Sequence, residues 1–468
     1  MIKYALIFIW VFSAQVIQVS NAQETINQNI FGFATSNTFS YFNVEDTLFQ
    51  KNVREISPKV LRFPGGAIGN FYHFNRPAYG LDINEIDSLI SGKFPKRARG
   101  LINYSRKKGH KNNYIDDFIK LAKLTNSSAV LVANVLTSDR EDIARMIKRI
   151  KANDIHIIGV ELGSELSNKS YFDNGYTIDK YIHSAHDLSN YIKRMFPELK
   201  TAVVAAPIIK NKKHRHYIWN SKLSKLNFYD AIIVHSYAKV VKGKDQYGQM
   251  IDEENEGDLS VSFIKYKDRI HSYFKNGYPK EISEYNLIFD NSPIWITEWN
   301  LQYSKKTGNT HLQGLFVANY FLELLSNPDL QNIDLTTFHN LAGRDFGGSV
   351  FQMKNNTTLI QSTFYPLQIV SNVFSNKEMH VLKEQVDDDI YKYIFSDNGV
   401  VVSICWINWS NKKHNTSVAN YDFNKIEECY SGALYAKNSD ERAIKYIKAN
   451  YKKSSSMMLK PYSLTLIK

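Results

Sequence analysis

Residues 156–165 read His-Ile-Ile-Gly-Val-Glu-Leu-Gly-Ser-Glu, a short apolar run that ends in glycine, serine and a carboxylate. Similar runs recur along the first 340 residues, with amphipathic stretches of helical period between them. This alternation is typical of βα units around a parallel sheet. Eight runs predict an α/β fold, a closed (β/α)8 TIM barrel. The predicted strands are Asn29–Ala34, Lys59–Phe63, Ala129–Val135, His156–Gly163, Thr201–Ala206, Ala231–Tyr237, Ile294–Trp299 and Leu335–Asn340.

An open doubly wound sheet is the alternative arrangement. Such a sheet usually carries a glycine-rich phosphate turn after its first strand, and no such turn follows Phe31-Gly32-Phe33. We therefore assign residues 29–364 to a barrel. The predicted helices between its strands include Tyr114–Leu124, Asp139–Ala152, Ile178–Met195 and His311–Leu325.

The pattern changes after about Tyr365. A further helix is predicted at Phe364–Ser375, and short alternating strands separated by turn residues follow it. This predicts an antiparallel β-sandwich domain over residues 365–468, to which residues 23–28 are expected to add an edge strand. The predicted strands are His380–Leu382, Ile390–Phe395, Val400–Trp409, Ser417–Asn420, Ser456–Leu459 and Ser463–Ile467.

The first 22 residues have the pattern of a signal peptide. Lys3 supplies the positive charge, Ala5–Val16 is apolar except for Ser13 and Gln15, and Ser20-Asn21-Ala22 is a small-x-small cleavage site. The apolar run is short for a membrane anchor, which needs about 20 residues. We therefore expect cleavage after Ala22 and a secreted or periplasmic protein, and no later stretch is apolar enough to insert stably in a membrane.

Composition narrows the class of protein further. The 468 residues are 43% hydrophobic and 22% charged, which excludes a mainly disordered chain. The only two cysteines exclude a disulfide-built scaffold. Cys405 and Cys429 could pair in an oxidising compartment, but the apolar strand around Cys405 favours a buried thiol. The net charge of +12 favours a polyanionic partner, and export argues against nucleic acid.

Candidate catalytic residues stand where barrel strands end, since catalytic groups lie at that face of such barrels. Glu165 ends the fourth predicted strand and Glu298 ends the seventh, so the two carboxylates can face each other across the barrel mouth. Because side chains alternate along a strand, we expect Glu298 to share a face with Ile294 and Ile296. The other candidates at strand ends are Arg62, Glu161, His235 and Tyr237.

Glu161 has the same parity as Glu165 and is expected to point inward one layer deeper. A carboxylate at that depth needs a partner, because burying an unpaired charge is costly. Arg62, at the end of the second predicted strand, is the natural candidate.

These motifs resemble those of retaining glycoside hydrolases of the large (β/α)8 clan. Leu61-Arg62-Phe63-Pro64-Gly65-Gly66, with Asn70 and Tyr72-His73, resembles the strand-2 motif of α-L-arabinofuranosidases. Glu161-Leu162-Gly163-Ser164-Glu165, with Asn168, resembles a motif of heparanase and related β-glucuronidases. Thr297-Glu298-Trp299-Asn300 resembles the nucleophile segment of several clan families. The motifs cover about thirty residues, and the barrel-plus-sandwich layout covers most of the chain.

The resemblance implies that Glu165 is the general acid/base and Glu298 the nucleophile, without metal or cofactor. It implies that Tyr237 orients Glu298, that His235 lines the sugar subsite and that Arg62 supports the carboxylates. The clan usually has asparagine before the acid/base, where this chain has Ser164, which leaves room near the sugar 2-position. The set of substrate-binding or supporting candidates is Arg62, Asn134, Glu161, Ser164, His235, Tyr237, Trp299, Asn300, His339 and Arg344.

Basic residues cluster in predicted loops on the catalytic face. The loop after the fifth strand forms a candidate anion-binding rim of Lys210, Lys212, Lys213 and Arg215. Sulfate esters or uronic acids would pair with such cations. We therefore expect a hydrolase of an anionic polysaccharide or oligosaccharide. The alternatives are a neutral-sugar enzyme, such as an arabinofuranosidase, and a non-catalytic glycan-binding relative.

Overall fold

The computed structural model describes residues 25–107, 113–244, 250–252, 258–343, 348–375, 379–419, 421–438 and 443–468. The predicted signal peptide and Arg344 lie outside these ranges. Within them, every helix is too short or too polar to cross a bilayer.

The described ranges contain 21 strands. In chain order they are β1 Gly32–Ala34, β2 Val60–Phe63, β3 Ser128–Val132, β4 Ile157–Leu162, β5 Lys200–Val204, β6 Ala231–Ala238, β7 Lys242–Lys244, β8 Met250–Asp252, β9 Ile294–Leu301, β10 Ile333–Phe338, β11 Ala342–Gly343, β12 Phe351–Lys354, β13 Thr357–Ile360, β14 His380–Asp387, β15 Ile390–Asp397, β16 Val400–Asn408, β17 His414–Ser417, β18 Lys425–Ser431, β19 Ile444–Asn450, β20 Ser456–Leu459 and β21 Ser463–Ile467.

The same ranges contain 14 α-helices. They are α1 Thr38–Tyr41, α2 Thr47–Ile56, α3 Gly66–Gly69, α4 Ile83–Leu89, α5 Lys93–Lys107, α6 Ile115–Thr125, α7 Arg140–Lys151, α8 Lys169–Phe172, α9 Ile178–Met195, α10 Arg215–Leu223, α11 Leu259–Ser272, α12 Tyr278–Ile288, α13 His311–Ser326 and α14 Phe364–Ser371. Short 3-10 turns lie at Gln28–Ile30, Pro328–Leu330 and Val373–Ser375, and a π-helical turn lies at Tyr273–Gly277.

Eight parallel strands close into a barrel in the order β1-β10-β9-β6-β5-β4-β3-β2. All eight correspond to predicted strands, so the predicted (β/α)8 barrel is confirmed. Strands β4 and β9 are buried along their whole length. This is expected, because helices cover one face of each strand and the other face points into the barrel interior. The carboxyl ends of the strands therefore carry the polar residues that face the barrel mouth.

A register shift in β9 determines which of its side chains point inward. The side chain of Trp295 lies close to Gly159 of β4 across the barrel, so strict alternation would place Thr297 inside and Glu298 outside. The pairing of β9 with β6 skips one β9 residue, since Val234 pairs with Ile296 and His235 pairs with Glu298. The pairing of β9 with β10 is also irregular after Ile296. Such a bulge re-aims side chains. The predicted common face of Ile294, Ile296 and Glu298 is therefore wrong, although Glu298 does point inward.

The C-terminal region forms a six-stranded antiparallel sheet in the order β14-β15-β16-β21-β18-β19, covered on one side by the pair β17-β20. A separate apolar core between them includes Ile404, Trp406 and Leu459, so the predicted sandwich is confirmed. Strands β18 and β19 were not predicted. The strand expected at Ser417–Asn420 is wrong for residues 418 and 419, since β17 ends at Ser417, and Asn420 lies outside the described residues.

The expected edge strand at residues 23–28 is also wrong over its described part. Residues 25–27 form no strand and Gln28 begins a 3-10 turn. The amide of Ile26 donates one hydrogen bond to the carbonyl of Met379, beside β14, and the side chain of Asn27 caps the turn instead of continuing a ladder. Cys405 and Cys429 are both buried and unpaired.

Barrel and sandwich share one continuous core. Phe31, next to β1, packs on Phe321 of α13 and Phe374, and the same cluster includes Cys405 and Leu464 of the sandwich. The barrel is therefore held on the sheet by apolar packing along α13 and α14.

Candidate active site

Arg62, at the end of β2, is the centre of a buried ionic network. Its guanidinium is fully buried and donates two hydrogen bonds to Glu161, at 2.6 Å and 2.8 Å, so the predicted Arg62–Glu161 pair is confirmed. Thr297 donates a third bond to Glu161, at 3.1 Å. Such bidentate, charge-assisted bonds fix geometry as well as charge. Arg62 is therefore held rigidly with its remaining nitrogen turned toward Glu298.

Glu298 receives one donor on each carboxylate oxygen. Arg62 Nη1 donates to Oε1 at 2.9 Å, and the Tyr237 hydroxyl donates to Oε2 at 2.8 Å. Burial by itself would raise the pKa of Glu298, but the charges of His235 and Arg62 outweigh it and hold that pKa well below its usual range. Burial and the charge of Glu298 raise the pKa of Tyr237, so its hydroxyl stays a donor. Glu298 is thus an oriented, ionised carboxylate at neutral pH.

Glu165 lies opposite, in the loop after β4. Its backbone is in the left-handed region with φ 51°, which is uncommon for a residue with a side chain. The Asn168 amide donates to Oε2 at 2.9 Å, and His235 Nδ1 lies 3.0 Å from Oε1. The side chain is 41% exposed, whereas that of Glu298 is 9% exposed. Glu165 is thus the carboxyl group that solvent and a leaving group can reach.

His235 connects the two carboxylates. The Thr297 hydroxyl donates its one proton to Glu161, so His235 Nε2, 3.2 Å away, must be the donor in the other Thr297 contact. Nδ1 then faces Glu165 and lies 3.7 Å from Glu298. Burial would lower the pKa of His235, but the charges of Glu298 and Glu165 raise it. The two glutamates therefore favour the protonated form of His235, in which both ring nitrogens are donors.

Donor atoms of Glu165, His235 and Glu298 all lie within 4.8 Å of one another, a cluster that could hold a metal ion. Both oxygens of Glu298 already accept hydrogen bonds, and one of these donors is the guanidinium of Arg62. A cation placed there would be repelled by Arg62 and would displace its bond. The donor set therefore fits acid–base chemistry better than metal binding.

Gly66 and Ser164 both lie close to the Arg62–Glu298 pair. Gly66 follows β2 with φ 60°, and a Cβ there would lie 3.5 Å from Glu298 Oε1. Asn70 clamps Ser164 by accepting from its amide and donating to its carbonyl, each at 2.7 Å. Ser164 is fully buried, and its hydroxyl accepts from Arg62 at 3.3 Å. Ser164 therefore supports Arg62 and does not face the open cleft.

Asn300 and His339, two further predicted site residues, lie near the ends of β9 and β10. Asn300 donates to the carbonyls of His339 and Gly348 and so ties the end of β9 to the loop after β10. The ring of His339 contacts that of Tyr237 edge-on, with centroids 6.3 Å apart, which places it at the site. Burial lowers the pKa of His339, so it is neutral near pH 7.

Trp299 and Asn134, named as substrate-binding or supporting residues, make contacts that support the fold. Trp299 points away from the barrel interior and stacks on Tyr320 of α13, with ring centroids 3.7 Å apart, because the bulge in β9 turns it outward. Asn134 accepts from the amides of Leu136 and Thr137, which makes it the closing residue of a local turn.

Thr297, Asn168 and Asn70 were not predicted as site residues. The sequence signals that could have identified them are the spacing of Asn168, three residues after Glu165, and the position of Thr297 next to Glu298. Alternation from Trp295 already places Thr297 inward, whereas the inward direction of Glu298 depends on the register shift in β9.

The rim residues are separated by the structure into two groups. Lys210 and Lys212 are exposed in the loop after β5. Lys213 and Arg215 line a cleft beside the loop that carries Glu165, where Arg215 Nε donates to the carbonyl of Ser167 at 3.2 Å.

No protein-family model matches this chain, and no curated protein matches its sequence. Solved structures do share its fold. The GH51 arabinofuranosidase of Xanthomonas axonopodis pv. citri is 12% identical, with a TM-score of 0.64 over 96% of this chain and 98% of its own. The α-L-arabinofuranosidase of Thermotoga maritima, solved with arabinose, is 14% identical, with a TM-score of 0.60 over 95% and 97%.

A third structure broadens the comparison. The 4-O-α-L-rhamnosyl-β-D-glucuronidase of Fusarium oxysporum is 10% identical, with a TM-score of 0.60 over 96% of this chain and 97% of its own. The chain therefore has the barrel-plus-sandwich fold of these glycoside hydrolases along nearly its whole length, which confirms the predicted resemblance in fold.

Proposed function

We propose that this protein is a retaining glycoside hydrolase that cleaves a polysaccharide or oligosaccharide. The observation that carries the proposal is the pair of carboxylates of Glu165, after β4, and Glu298, in β9. One oxygen of each lies within 4.8 Å of the other and of a ring nitrogen of His235. Retaining enzymes hold their carboxyl groups about 5–5.5 Å apart, whereas inverting enzymes need about 6.5–9.5 Å to admit a water molecule. The short separation favours double displacement.

In the first step, Glu298 attacks the anomeric carbon and the bond to the glycosidic oxygen breaks. Glu165 gives its proton to that oxygen, and the leaving group departs as an alcohol. In the second step, Glu165 takes a proton from water, the water oxygen bonds to the anomeric carbon, and the ester bond to Glu298 breaks. Two inversions at one carbon give net retention.

The surrounding residues are assigned supporting roles by their contacts. Arg62 and Tyr237 hold Glu298 ionised and aimed, which suits a nucleophile. Asn168 and His235 orient the carboxyl group of Glu165, which alternates between acid and base. The burial of Ser164 against Arg62 supports an intact catalytic network and weighs against a binding protein that has lost activity.

We further propose that the substrate is anionic and that the enzyme is secreted or periplasmic. The net charge of +12, the basic loop after β5 and the expected signal peptide at residues 1–22 support this. The neighbouring structures include a glucuronidase, which acts on an acidic sugar, and arabinofuranosidases, which act on a neutral one. A neutral-sugar hydrolase is therefore the second candidate.

A substrate panel tests both proposals. Purified enzyme is incubated with sulfated, uronic-acid-containing and neutral glycans, and new reducing ends are counted, with Glu298→Gln as the inactive control. Release from an acidic glycan by the wild type alone is expected. Release from neutral glycans alone would retain the hydrolase and contradict the anionic substrate, and equal release by Glu298→Gln would contradict the assigned nucleophile.

A further inference from the structure

A cleft of about 470 Å³ opens on the catalytic face between the N-terminal ends of α9 and α10. It begins at Leu166 and Ser167, the two residues after Glu165, and it is bounded further out by Phe172, Arg215 and Ile218. Since α9 follows β4 and α10 follows β5, the cleft lies at the carboxyl ends of the barrel strands, where such barrels bind their ligands.

The charges that line this cleft do not cancel. Its two acidic residues are each paired, Asp173 with Lys169 at 2.5 Å and Asp179 with Lys222 at 2.7 Å. Lys213 and Arg215 have no carboxylate partner among the described residues. Arg215 is half-buried, and its Nε is fixed on the Ser167 carbonyl, so its terminal nitrogens are positioned in advance. The cleft therefore offers two uncompensated cations, one of them held in place.

Apolar side chains supply the rest of the lining. Phe172 is 48% exposed and Ile218 is 39% exposed, although both are large and hydrophobic. A sugar ring has apolar C–H faces that pack on such surfaces, and a sulfate or carboxylate substituent pairs with Arg and Lys. The combination suits an acidic sugar better than a neutral one.

The position next to Glu165 determines which part of a substrate can occupy the cleft. The acid/base gives its proton to the glycosidic oxygen, so the leaving-group sugar must lie on the Glu165 side of the cleaved bond. We propose that this cleft is the leaving-group subsite for a sugar that carries a sulfate or a carboxylate, with Arg215 as its main anion contact and Lys213 as its second. This assignment rests on the proposed function.

Binding without turnover tests the anion site. In a Glu298→Gln background, calorimetry compares carrageenan oligosaccharides (sulfate), galacturonate oligosaccharides (carboxylate) and agarose oligosaccharides (neutral). Arg215→Gln/Lys213→Gln should weaken binding of a charged probe at least about tenfold, since two contacts are lost. The matched control Lys148→Gln/Lys225→Gln removes two exposed charges outside the cleft and should change Kd less than about twofold.

The two charged probes identify the anion, because tighter binding of one of them names sulfate or carboxylate as the preferred group. If both double variants lost the same affinity for the charged probes, net charge alone would explain the loss, and the anion site would be overturned. Neutral probes that bind as tightly as charged ones would also overturn it.

A second measurement locates the site relative to the cleaved bond. A 2-deoxy-2-fluoro glycoside traps the glycosyl-enzyme, and an acidic oligosaccharide is added as acceptor. Its hydroxyl attacks the anomeric carbon, the ester bond to Glu298 breaks, and the hydroxyl proton passes to Glu165. Only a sugar on the leaving-group side can do this, so the acidic acceptor should speed turnover of the adduct, and Arg215→Gln/Lys213→Gln should need about tenfold more of it.

The outcomes separate this inference from the proposed function. Binding without acceleration would overturn the leaving-group assignment. Failure to form any adduct with all glycosides tested would overturn the proposed function, while the binding experiment would still decide whether the cleft holds an anion.

Discussion

Arg62 and Tyr237 divide the two oxygens of Glu298 between them, so each contact can be removed separately. Tyr237→Phe deletes only the hydroxyl bonded to Oε2. A hydrogen bond to a charged group contributes about 1.5–3 kcal/mol. If it acts on the nucleophile, kcat should fall about tenfold to a hundredfold with little change in KM. Steady-state kinetics on an active glycoside measure this.

Tyr273→Phe is the matched control, because it also removes a buried hydroxyl that contacts β6. The Tyr273 hydroxyl lies 3.0 Å from Ser236, which stands between His235 and Tyr237 and points to the opposite face of the strand. The control should leave kcat within about threefold of the wild type. Equal losses of kcat in the two variants would mean that Tyr237 acts through the stability of β6 and not through Glu298.

Some residues of the site could be predicted from the sequence and others could not. Arg62, Glu161, Glu165, His235, Tyr237 and Glu298 could be predicted because they stand at strand ends, and the structure brings them together. Trp299 could not be assigned correctly, because its direction depends on the bulge in β9. Asn134 serves a local turn, which a list of polar residues near strand ends cannot distinguish from a substrate contact.

At the scale of elements, the turn after β4 places Glu165, and Gly163 makes that turn. Its φ is 90°, and a Cβ there would collide with the side chain of Leu166. Gly163→Ala should therefore lower the free energy of unfolding by about 1–3 kcal/mol. Denaturant titration measures the loss.

Gly100 in α5 provides a control of opposite sign. Space around it is open, and its helical backbone suits alanine, so Gly100→Ala should raise the free energy of unfolding by up to about 1 kcal/mol. A neutral Gly163→Ala would show that the turn tolerates a side chain and that glycine does not fix the position of Glu165.

Strands differ in how clearly the sequence marks them. The barrel strands are buried apolar runs and were all predicted. Strand β18 buries Glu427 and Glu428 side by side, so its polar and apolar positions do not alternate. Strand β19 is a largely exposed strand at the edge of the sheet, with two lysines and one asparagine among its seven residues. Neither has the hydrophobic periodicity that identifies a strand. Tertiary contacts decide their pairing, in which β18 pairs with β21 and β19 pairs with β18.

At the scale of the molecule, a polar contact reinforces the apolar core shared by barrel and sandwich. Glu323 on α13 is almost fully buried; it accepts from Tyr393 of β15 at 2.9 Å and pairs with Lys383 of β14 at 2.5 Å. Units joined in this way should unfold together. Calorimetry should show one transition, and Glu323→Ala should lower its temperature without splitting it. Two resolved transitions would contradict a common core.

The central claim is that Glu165 is the acid/base and Glu298 the nucleophile of a retaining hydrolase, and azide tests it most directly. Glu165→Ala should still act on a dinitrophenyl glycoside, whose leaving group needs no proton, and azide should accelerate it by replacing the base-activated water. The glycosyl azide formed should keep the anomeric configuration of the substrate, as read by NMR. Rescue of Glu298→Ala with retained configuration, and none of Glu165→Ala, would contradict the assignment.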